Sequence, residues 1–78
     1  MKYKDIRNKN RLGVFFCIYK QEDNDLKILT IEEDIKGLSS YLDKPKSTLY
    51  RLGIKKRYGV RVYLTINGQN YVIIVDRD

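Results

Sequence analysis

The 78-residue sequence contains no histidine and no tryptophan, and only one cysteine, one proline and one methionine. Without histidine, the usual pairing of a nucleophile with an imidazole base is excluded. With a single thiol besides, a zinc site of the Cys/His type has too few ligands. Cys17 cannot close an internal disulfide. It sits in the apolar run LGVFFCIYK and reads as a small buried hydrophobe rather than a reactive thiol. No run of about eighteen apolar residues occurs, so no helix is expected to cross a membrane. The basic start, MKYKDIRNKNR, is not followed directly by the apolar stretch of a secretory signal. The expectation is a soluble, cytoplasmic chain. A chain of this length makes one domain with only a few kcal/mol of net stability and little room for both a core and a deep pocket. We therefore expect no enzyme, no metal and no cofactor.

Positive charge is abundant. The formal net charge is +6, and it is unevenly spread. Residues 1–11 carry five basic groups against one acid, and residues 35–61 carry eight against one, whereas residues 12–34 carry six acids against two basic groups. Clustering of this kind points to a polyanionic partner more than to general solubility.

The periodicity predicts β-β-α-α-β-β, an α+β domain over residues 12–78 preceded by a basic arm, 1–11. Residues 12–20 are β-branched and aromatic, as in a strand buried on both faces. QEDND (21–25) forms a polar turn, and LKILTI (26–31) alternates as the return strand of a hairpin with a loop of about four or five residues. Thr30 with Glu33 fits a capping box, with Glu32, Glu33 and Asp34 crowding a helical first turn. Ile31, Ile35, Leu38 and Leu42 make one apolar stripe, which Gly37 weakens unless something packs closely against it. Asp43-Lys44-Pro45 ends this helix. A second helix is expected from Lys46 to Leu52 or Ile54, held by Leu49 and Leu52 and stopped by Gly53. VRVYLTI (60–66) and QNYVIIV (69–75) alternate around Asn67-Gly68, the strongest two-residue hairpin signal. The apolar content of this last hairpin favours one shared sheet over a projecting wing.

The stretch YLDKPKSTLYRL resembles the helix-turn-helix of excisionase-like and related small phage or mobile-element regulators. Their common pattern reads roughly Y-L-G-V-S-K-S-T-L-Y-R-L. Tyr41 and Leu42 match its start, and Lys46 through Leu52 match its last seven letters. Asp43 replaces the glycine, Lys44 an apolar residue and Pro45 a serine. The resemblance covers about twenty residues and implies a DNA-binding regulator of transcription or recombination encoded by a phage or mobile element.

The residues support the same expectation on their own. A recognition helix needs an apolar side toward its partner and an outward side of short donors and long cations. Lys46, Ser47, Thr48, Tyr50 and Arg51 would form the reading face, with Arg51 able to meet guanine in bidentate fashion. Lys44, Lys55, Lys56, Arg57 and Arg61 would hold phosphates, as would Lys2, Lys4, Arg7, Lys9 and Arg11 in the arm. A homodimer, joined through an edge strand, would supply a second copy for specificity. Two rivals stand beside this reading. One is a phage-encoded protein-interaction module that inhibits a host enzyme or defence complex. The other is an RNA-binding accessory protein, with Tyr58 and Tyr63 stacking on bases. Paired second helices about 34 Å apart would favour duplex DNA. An apolar exposed patch of several hundred Å2 on the sheet would favour a protein partner.

Overall fold

The computed structural model of the chain describes residues 13–77. The order is that expected: β1 (Val14–Glu22), β2 (Asp25–Glu32), α1 (Ile35–Leu42), α2 (Lys46–Arg51), β3 (Arg61–Ile66) and β4 (Gln69–Arg77). The strands form one antiparallel sheet, β2-β1-β4-β3. The two hairpins join through β1 and β4, from Val14 opposite Arg77 to Lys20 opposite Tyr71. The shared sheet is therefore the arrangement formed, with both helices on one of its faces. The proposed basic arm lies outside the described residues.

The core is what the pleat and the helical stripe place together. Successive residues of a strand point to opposite faces. Val14, Phe16 and Ile18 of β1, Val62 of β3, and Ile73 and Val75 of β4 meet Leu38 and Leu42 of α1 together with Leu49 and Ile54. Burying each such side chain contributes about 1.5–3 kcal/mol. Cys17 and Val72 are also buried, but their strand positions face away from this cluster, so the two central strands are buried on both sides.

The turns follow from a few residues. Asn67 and Gly68 both have positive φ (51° and 78°), the requirement of a type I′ turn. The first hairpin is tighter than expected. β1 runs to Glu22 and β2 starts at Asp25, leaving two residues, with Asp23 at φ 53°. Asp43 closes α1 in the left-handed conformation that short polar residues tolerate.

Three local expectations are corrected. The cap of α1 is Asp34, not Thr30: the Asp34 carboxylate accepts from the Gly37 amide at 2.8 Å, while the Thr30 hydroxyl donates to Glu32. Glu32, Glu33 and Asp34 thus precede the helix rather than occupy its first turn. Ile31 belongs to β2, where it is 53% exposed, and not to the α1 stripe. Leu52 does not clamp α2, being 44% exposed, and Ile54, 1% exposed beyond the Gly53 turn, takes its place in the core. Gly37 does meet a close neighbour, since a Cβ there would lie 2.5 Å from a Glu32 carboxylate oxygen.

Candidate nucleic-acid interface

The second helix is six residues long and starts directly after Pro45, whose φ of −65° suits the entry but which offers no side-chain cap. Its last turn is secured from the C-terminal side. The Ile54 amide donates to the Leu49 carbonyl at 3.1 Å, and Gly53 at φ 106° turns the chain so that Ile54 drops into the core. The link to α1 is equally tight. Asp43 and Lys44 amides donate to Ser40 and Ser39 carbonyls, and the Ser39 hydroxyl donates to the Lys44 carbonyl. The three-residue turn Asp43-Lys44-Pro45 therefore holds the two helices in a fixed relation.

At about 100° per residue, the side of α2 opposite the buried Leu49 carries Ser47 and Arg51, with Lys46 and Tyr50 on one flank. All four are exposed. On the other flank Thr48, like Lys44 in the turn, is half-buried and lines a groove of about 640 Å3 between α2 and the β3–β4 hairpin. Leu52, Leu64, Ile66 and Tyr71 make the groove's apolar surface. Lys55, Lys56 and Arg57 follow in the exposed loop to β3. Among the described residues none of these cations forms an ion pair; the pair that does occur joins Lys20 and Glu22 at 3.5 Å.

Of the ten described residues expected at the interface, Lys46, Ser47, Tyr50 and Arg51 share the outer surface of α2, and Lys55, Lys56 and Arg57 continue from it in sequence. Lys44 and Thr48 turn partly into the groove. Arg61 lies apart. It alternates with the buried Val62, so it projects from the sheet face without helices, where its guanidinium donates to the Tyr63 hydroxyl at 3.4 Å.

That bare face holds what the sequence reading passed over. Leu26, Ile28 and Ile31 share it with Tyr63, all 44–62% exposed. The signal was present: LKILTI has no polar face, because Leu29 and Ile31 interrupt one side while Leu26 and Ile28 occupy the other. Cys17 lies beneath this surface. Burial first, then the nearby Asp76 carboxylate, push its thiol above the ordinary range, against a lowering hydrogen bond with Tyr19. The thiolate is thereby disfavoured. Tyr58 lies under the Arg77 guanidinium, 4.2 Å from ring centroid to the cation, so that ring is already stacked within the fold.

No family model, curated protein or solved structure matches the chain. Among the described residues, no helix is long and apolar enough to cross a membrane.

Proposed function

We propose that the protein binds duplex DNA through the outer surface of α2, as a small regulator of transcription or recombination. One observation carries this reading. Among the described residues, the Lys46, Ser47, Tyr50 and Arg51 side chains have no hydrogen-bond or ion-pair partner and are exposed on a helix anchored from behind by Leu49, next to the cations of residues 55–57, which form no ion pair there. Structural duty does not explain that composition, whereas a polyanion with readable base edges does. In this reading Arg51 meets a base edge, Ser47 a phosphate or base edge, and Lys55, Lys56 and Arg57 the backbone. Arg61 contributes only through the general field, because it is on the far face of the sheet.

A binding titration with labelled duplexes at two salt concentrations tests the proposal. Affinity should fall steeply with salt as counterions are released. Arg51→Ala should lose about 1–3 kcal/mol on a selected duplex and little on a random one. Lys56→Ala should weaken all duplexes alike and lower the salt slope by about one. Equal affinity of parent and Arg51→Ala for the selected duplex would rule out the recognition role.

The exposed apolar residues on the bare face favour a protein contact there as well. That surface and the outer surface of α2 point in opposite directions, so the two do not compete.

A further inference from the structure

The apolar exposure is concentrated on one strand. β2 is an edge of the sheet, and its Leu26, Ile28, Leu29 and Ile31 are 37–53% exposed. An edge strand also offers a row of unpaired backbone N–H and C=O groups. β2 has two features that blunt such edges, a bulge opposite Ile18/Tyr19 and the charge of Lys27. Neither removes its apolar side chains. The other edge, β3, leaves Tyr63 62% exposed.

The two edges complement each other in direction and in charge. All three pairings in the sheet are antiparallel, so β2 and β3 run in opposite senses. A second copy displaced along the sheet sets its β2 antiparallel to the first copy's β3, with the helices of both on one face. The rows of the sheet carry the match further. Ile31, Cys17, Ile74 and Arg61 form one row, and Ile28, Tyr19, Val72 and Tyr63 another. Continuing these rows across the contact puts Ile28 opposite Tyr63 on the bare face. It also brings the exposed Glu33, just past the end of β2, diagonally beside Arg61, the first residue of β3. A β2–β2 contact would instead bring two acid-flanked strands together.

We infer that copies of this chain associate head to tail, β2 of one adding to β3 of the next. The second copy expected from the sequence then docks by β-augmentation rather than about a two-fold axis. Cross-strand apolar pairs and new backbone hydrogen bonds hold the contact, which closes as a ring or continues as a filament. It uses the sheet edges and leaves the outer surface of α2 free, so it stands or falls separately from DNA binding.

Cysteine cross-linking of full-length chains tests it. In a Cys17→Ala background, Ile28→Cys and Tyr63→Cys are oxidised mildly, alone and mixed. The mixture should yield a covalent dimer at least tenfold above either variant alone. A dimer from Ile28→Cys alone would mean a symmetric β2 contact and would overturn the inference. Absence of cross-link in every arm, with parent-like circular dichroism, would overturn it too. Light scattering on the unmodified chain is the second measurement: mass should rise with concentration and return to that of one chain in Ile28→Lys. A parent that stays at single-chain mass at millimolar concentration would contradict it.

Discussion

The two helices lie side by side on one face of the sheet, yet they are built differently. α1 has eight residues, a carboxylate cap in Asp34, a left-handed closing residue in Asp43 and two buried leucines. α2 has six residues, no side-chain cap and one buried leucine. A helix so short has little stability of its own. Its order comes from outside: from Leu49, from Ile54 beyond the Gly53 turn, and from the hydrogen-bonded link to α1. The difference is that α1 carries its own cap, closing residue and two core leucines, whereas four of the six residues of α2 are exposed and the helix depends on its neighbours for order.

The contrast can be broken most severely at the anchor. Leu49→Ala should cost about 2–5 kcal/mol in chemical denaturation, as a fully buried leucine does when it leaves a cavity. A cost below 1 kcal/mol would mean that α2 is not held as described. Asp34→Ala sharpens the other side of the comparison. Losing the cap of α1 should cost about 1 kcal/mol. Leu52→Ala should cost less than its neighbour, about 0.5 kcal/mol or below, because that side chain is nearly half exposed. If urea midpoints place Leu52→Ala level with Leu49→Ala, the two-leucine clamp of the sequence reading is restored. The smallest effect should come from Cys17. Its thiol is raised by burial, so the folded state favours the neutral form. The stability that this contributes is complete at neutral pH and is lost as the pH climbs above the ordinary thiol range. Cys17→Ala should flatten that part of the alkaline stability profile. An unchanged profile would show that the thiol does not titrate with unfolding.

Most of the fold was legible because local and global signals agree in the hairpins. The alternation of residues 60–66 and 69–75 around Asn67-Gly68 fixes both strands and their turn, and the single proline separates the helices. The errors arose where one residue could serve two elements. Ile31 continues a strand and also starts a helical stripe; only the sheet pairing with Cys17 decides. Leu52 has helical spacing from Leu49, but the left-handed turn at Gly53 hands its place to Ile54. The candidate site was legible as a composition, because KSTLYRL followed by KKR needs no tertiary information to be noticed. Its geometry was not. Whether Arg61 joins Arg51 depends on which face of β3 meets the helices, and Val62 settles that only once the core is assembled.

The most direct test of the proposed DNA contact maps which part of the surface responds to a duplex. Amide shifts of the 15N-labelled chain are followed while a selected duplex is added. The largest perturbations should fall on residues 46–51 and 55–57, with β2 and the bare sheet face unmoved at low protein concentration. Perturbations confined to β2, Tyr63 and their neighbours, or none at all at low salt, would contradict it.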